Sequence, residues 1–138
     1  MANLKQLNDF FQNDLFATKL CGIRIKEAGY HCALCTMPLT ENHCNARGSV
    51  MGGAIFTLAD FAAAVAANSE LCDEHVISLH ADISYLSVAK GELLYAEASS
   101  VKHGKSTTVY QVDISDDLGT KVAQIIVTGY ILKTKPPV

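Results

Sequence analysis

The chain has 138 residues, of which 18% are charged, with 11 Lys plus Arg against 14 Asp plus Glu and a formal net charge of -3. That length suits a single domain over residues 1–138, large enough to bury about two thirds of the surface its unfolded form would expose. So little positive charge excludes the electrostatic footprint of a nucleic-acid binder and a polybasic membrane surface, leaving a small molecule or another protein as the expected partner.

The opening MANLKQLNDFFQNDLF carries Leu4, Leu7, Phe11 and Leu15 at helical spacing, which predicts an amphipathic helix over residues 3–17 packed by one side onto the body. It lacks the basic start and apolar core of a secretory signal, and no apolar run in the chain reaches the ~18 residues of a membrane span. GIRIKEAG and YHCALCTMPL read as two strands joined by a tight turn, followed by the polar loop TENHCNARG. Five scattered cysteines, an odd number, suit free thiols in a reducing compartment, so a cytoplasmic protein is expected.

Residues 53–67 then form a helix that is apolar or small on every face apart from Asp60. A helix lying on one side of a sheet does not require that pattern; an enclosed one does. A sheet curled around it can cover one side, and its many alanines allow close approach. A second copy of the chain is expected to cover the rest, giving a two-fold homodimer, or a dimer of dimers. Four further strands are predicted near residues 76–86, 91–102, 107–116 and 121–132, joined by hairpin-length connections that favour antiparallel neighbours. The expected class is α+β: an antiparallel meander curled around one central helix, with an extra helix at the start and a frayed KTKPPV tail.

Asp60 in such a helix is poorly solvated, which makes it either a candidate site or a carboxylate satisfied by its neighbours for packing alone. Asn45, Gly48, Gly52 and Gly53 lead into the same helix. Free N–H groups at its first turn behind glycines could grip an oxyanion; the plainer reading is a simple turn with Ser49 as cap. Gly52 and Asp60 lie about 12 Å apart along the axis at ~1.5 Å per residue, so one carbonyl group cannot touch both within one chain. Two antiparallel helices from two subunits would bring them together.

These residues, HCNARGSVMGGAIFTLAD, resemble the signature of hotdog-fold acyl-CoA thioesterases of the phenylacetate-pathway (PaaI-like) type, in the 4-hydroxybenzoyl-CoA thioesterase superfamily. The pattern is Asn, Gly, His-Gly-Gly, Leu-x-Asp. Asn45, Gly48, Gly52, Gly53, Leu58 and Asp60 fall on it, and the likeness continues through the strands that follow. The resemblance implies a hotdog fold that hydrolyses a small, aromatic or medium-chain acyl-CoA to free acid and coenzyme A at a subunit interface, with neither metal nor other cofactor. It implies that Asn45 and the Gly52 N–H polarise the thioester carbonyl, that Asp60 of the other subunit is general base or nucleophile, and that Ser78 positions water. Met51 replaces the usual histidine and, with Gly53, would pack against the acyl or pantetheine part. Gly104, Lys105 and Ser106 would lie near the nucleotide end of coenzyme A. The methionine also motivates an alternative, a non-catalytic acyl-CoA binding or sensing protein.

Other patterns carry less. In CALC, Cys32 and Cys35 point to opposite faces of a strand and no second ligand pair follows, which argues against metal. Ser78, His80 and Asp82 alternate on a strand, too far apart for a triad, and His80 and Asp82 are expected to face water or the partner. HGKS lacks the first glycine of a phosphate loop, since Ser99 stands there. His31, His43, His75 and His103 are expected at turns and loop edges with no role beyond solvation, although His43 can brace the Asn45 loop.

Overall fold

A computed structural model describes residues 1–133. The first helix, α1, runs only from Leu4 to Phe11 and buries Leu7 and Phe11. Its start is closed by a reciprocal pair of 2.9 Å bonds, Gln6 N–H to Asn3 Oδ1 and Asn3 N–H to Gln6 Oε1. The apolar spacing continues to Leu15, yet the helix stops at Phe11, where the N–H groups of Asn13 and Asp14 turn to carbonyls three residues back, Phe10 O at 3.2 Å and Phe11 O at 3.0 Å. Asn13 Nδ2 donates to Phe10 O at 2.9 Å, and Thr18 Oγ1 donates to Asp14 O at 2.9 Å. A π-helical turn, Phe16–Leu20, follows, and Leu15 is left 62% exposed.

Among the described residues six strands make one sheet: β1 (Arg24–Gly29), β2 (Cys32–Pro38), β3 (His75–Tyr85), β4 (Leu93–His103), β5 (Thr107–Asp116) and β6 (Lys121–Leu132). Every neighbouring pair is antiparallel, in the order β1-β2-β4-β5-β6-β3. The strands β4 to β6 form the expected meander. β3 departs from it, pairing with β6 rather than with β4, so residues 86–92 cross from the sheet's edge to its middle.

The second long helix, α2 (Gly52–Ala67), lies in the curl of this sheet and touches all six strands. Leu58, Ala59, Ala62, Val65 and Ala66 are buried against Cys35, Met37, Leu94, Ala96, Val112 and Ile125. Alanine at so many helix positions lets the sheet close around it, and burying Leu58 alone stabilises the fold by about 2 kcal/mol. Asn68 ends the helix and ties it to β3, donating to Ala64 O at 2.9 Å and accepting from Val76 N at 2.7 Å. One face stays open: Gly53 and Asp60 are exposed, with Phe56, Thr57, Ala64 and Ala67 half-buried beside them. This is the hotdog arrangement, with a helix that its own chain covers incompletely. No described helix is long and apolar enough to cross a membrane. Apart from Lys133, the tail lies outside the described residues.

Candidate active site

The loop into α2 is held from within. A 3-10 turn, Glu41–His43, buries His43, whose Nε2 lies 2.8 Å from Cys21 O while Nδ1 accepts from Thr40 N at 3.0 Å. Cys21 O can only accept, so the proton sits on Nε2. The imidazole thus braces the loop as expected, but its burial corrects the expectation of a solvated turn histidine. His43 O then accepts from Met51 N at 2.8 Å, and Cys44 bridges Val50.

Asn45 sits at the centre of this loop. Its Oδ1 accepts from Arg47 N at 3.0 Å and Ser49 N at 3.1 Å, while Gly48 takes the left-handed φ of 84° that the tight turn needs. With the oxygen committed to the loop, the group Asn45 has to offer a ligand is its Nδ2 donor. Ser49 does not cap α2. The cap position is Met51, which is 55% exposed and makes no side-chain cap bond, so the N–H groups of Gly52 and Gly53 have no acceptor among the described residues. Asn45 and Gly52 line one open groove of about 500 Å³ with Ser49, Ile55, Tyr85 and residues 86–89. Exposed N–H donors at a helix start, beside an amide donor, suit a developing negative charge.

Asp60 opens elsewhere. It lines a cavity of about 280 Å³ with Asp14, Leu15, Phe16, Ala17, Thr57, Phe61 and Ala64, none of which borders the Asn45 groove. Its carboxyl makes no hydrogen bond or ion pair with a described residue. Burial of its inner side, and then the charge of Asp14, push its pKa above the usual carboxylate value. The expectation of a dry carboxylate is met only in part: on one chain Asp60 stands on the open face of α2.

Ser78 is exposed on β3, beside the bulge between Ser78 and His80, and borders a small hollow with Ala63, Ala64 and Gly129. Ala64 lines the Asp60 cavity as well, so Ser78 belongs to the Asp60 side. Gly104, Lys105 and Ser106 form the β4–β5 turn, fastened by Gly104 N to Thr107 O at 3.0 Å and Ile131 N to Ser106 O at 2.8 Å. They line neither cavity. His80 pairs with Asp82 at 3.2 Å in the open, and neither engages Ser78. Cys32 is exposed and Cys35 buried, on opposite faces of β2. His31 and His103 are not simple solvated residues: their rings stack at 3.9 Å, and His103 Nδ1 lies 2.7 Å from Tyr110 Oη.

Two participants escaped the sequence reading. Tyr85 reaches the Gly52 carbonyl from the far end of β3, and Asp14 faces Asp60 from the break after α1. Neither carries a local signal, because only the tertiary fold brings them to α2.

Comparison with known proteins identifies the family. The pattern of the thioesterase superfamily matches residues 47–123. A putative esterase of Archaeoglobus fulgidus is 30% identical over 121 residues, covering 87% of this chain and 77% of that one. Human acyl-coenzyme A thioesterase 13 is 34% identical over 96 residues, 66% of each chain. The structure of the PaaI protein from the phenylacetic acid degradation operon of E. coli superposes with a TM-score of 0.82 at 25% identity, covering 96% of this chain and 99% of that one. The chain belongs to the thioesterase superfamily, as a PaaI-like thioester hydrolase of the hotdog fold.

Proposed function

We propose that this protein hydrolyses acyl-CoA thioesters, with a small, aromatic or medium-chain acyl group, at two equivalent sites of a homodimer. One subunit gives the Gly52 N–H and Asn45 Nδ2 as donors to the thioester oxygen, and the other gives Asp60. The observation that carries this reading is the separation of the two halves: on one chain the donors and the acid line different cavities with no residue in common. Antiparallel pairing of two α2 helices across their open faces would set each donor turn against the other chain's Asp60. The outer edge of β3, free of a neighbouring strand among the described residues and bearing exposed Ile77 and Leu79, supports the same pairing.

In this site water adds to the acyl carbon as Asp60 takes its proton, negative charge collects on the former carbonyl oxygen, and the C–S bond breaks to release the thiol. Direct attack by Asp60 is the other route, told apart by oxygen-18 incorporation into the protein in a single turnover. Ser78 holds the water, Met51 and Gly53 flank the thioester, and Gly104, Lys105 and Ser106 meet the nucleotide end. Amide donors supply the polarisation, so the chemistry calls for no metal or cofactor. Five free thiols fit a cytoplasmic setting. The test is thiol release from a panel of acyl-CoA thioesters by the wild type and Asp60→Asn. Loss of hydrolysis with retained ligand binding supports the reading, and an Asp60→Asn protein as fast as wild type refutes it.

A further inference from the structure

We propose that Asp14 is a positioning residue that acts through Asp60, as the second carboxyl of one cavity whose charge governs when Asp60 gives up its proton. The inference deepens the reading of Asp60 as the acid-base group and rests on it for its catalytic consequence.

Among the described residues the cavity is walled by α2 and by residues 14–17 alone, and its only ionisable groups are Asp14 and Asp60. Of its other walls Leu15, Phe16, Ala17, Phe61 and Ala64 are apolar, and the one polar side chain, Thr57, turns its hydroxyl to Gly53 O at 2.8 Å, so no cation on the wall offsets the field between the two acids. No salt bridge or hydrogen bond quenches either carboxyl among the described residues. Asp14 is held there by its backbone: its N–H donates to Phe11 O at 3.0 Å, and its carbonyl accepts from Thr18 N at 2.9 Å and Thr18 Oγ1 at 2.9 Å. The irregular turn that ends α1 early is therefore what aims a second acid at α2.

Charges elsewhere on the same chain do not offset the pair. Asp60 is the lone charged residue of α2. Under the helix, the strands present the neutral Cys35 and Tyr110. Lys19, on the π-helical turn, is absent from the cavity wall, and Arg24 lines a separate hollow beyond Phe61. Arg47, in the loop proposed to face Asp60 across the dimer, would act in the opposite sense. Both acids have raised pKa values, Asp14 through burial and Asp60 through burial and then Asp14. A higher pKa makes Asp60 a stronger base toward water.

The test follows the carboxyl carbons of aspartate-labelled protein by NMR through a pH titration, alongside the acid limb of kcat/KM. In Asp14→Asn the Asp60 midpoint should fall by about half a pH unit or more, while Asp14→Glu should stay near wild type. By reciprocity, Asp60→Asn should lower the Asp14 midpoint by a similar amount, which keeps the test open if Asp14→Asn folds poorly. Unchanged midpoints in the folded variants overturn the inference. If the Asp60 midpoint falls but the kcat/KM limb stays, the coupling stands and it is the assignment of Asp60 as the base that fails.

Discussion

Tyr85 Oη donates a 3.1 Å hydrogen bond to the carbonyl oxygen of Gly52, fastening the end of β3 to the first residue of α2. A Cβ on residue 52 would lie 3.0 Å from that hydroxyl and 3.1 Å from the ring, so glycine is what admits the tyrosine. The contact orients the peptide next to the proposed oxyanion donors. Tyr85→Phe keeps the ring and removes the bond, worth about 1 kcal/mol of stability, so the thermal midpoint should fall by a few degrees and kcat should fall with it as the peptide loosens. Steady-state kinetics and a melting curve check both halves of the prediction.

Asn45 joins two jobs that one substitution can separate. Asn45→Asp keeps an oxygen to accept from Arg47 N and Ser49 N, so the loop should hold. The amide donor is lost and a negative charge appears where negative charge must develop. Hydrolysis should drop by about 10² to 10³-fold, with the circular dichroism spectrum unchanged. A variant with near wild-type kcat would remove Asn45 from the site.

Asp116 anchors the fold at a distance from this chemistry. Its carboxylate is buried and accepts four backbone bonds, from Lys90 N at 2.8 Å, Gly91 N at 3.0 Å, Leu118 N at 3.0 Å and Thr120 N at 2.8 Å. Burial works to raise its pKa, but the bonds from Lys90, Thr120 and Gly91 outweigh it and hold the group far below the usual carboxylate range. A depressed native pKa gives stability that is complete above the unfolded value of ~3.9 and is lost as pH falls toward the native one. Asp116→Ala should lose about 3 kcal/mol at neutral pH and show a flatter acid-unfolding profile below about pH 4, measured by denaturant titration at several pH values.

The strands over residues 107–116 and 121–132 were legible to the residue, because buried Val and Ile alternate with polar side chains along them. The start of α2 was legible within one position, and Asn45, Gly52 and Asp60 stood out through the glycines and the lone charge in an apolar run. The first helix was read too long, since Leu15 keeps the spacing while the N–H groups of Asn13 and Asp14 bond three residues back and end the helical ladder. Beyond local periodicity the reading stopped. The pairing of β3 with β6 depends on a crossover, and the meeting of Asp14 with Asp60 on the path of an irregular turn. His43 was misjudged as solvated because a histidine in a polar loop gives no sign that Cys21 O and Thr40 N will enclose it.

The shared site is tested most directly by mixing two inactive variants, Asp60→Asn and Asn45→Asp, through co-refolding or co-expression. If each site takes its acid from one chain and its donors from the other, half of the random dimers carry one intact site. Activity should then return to about a quarter of wild type. A mixture as inactive as its two parents would contradict the account.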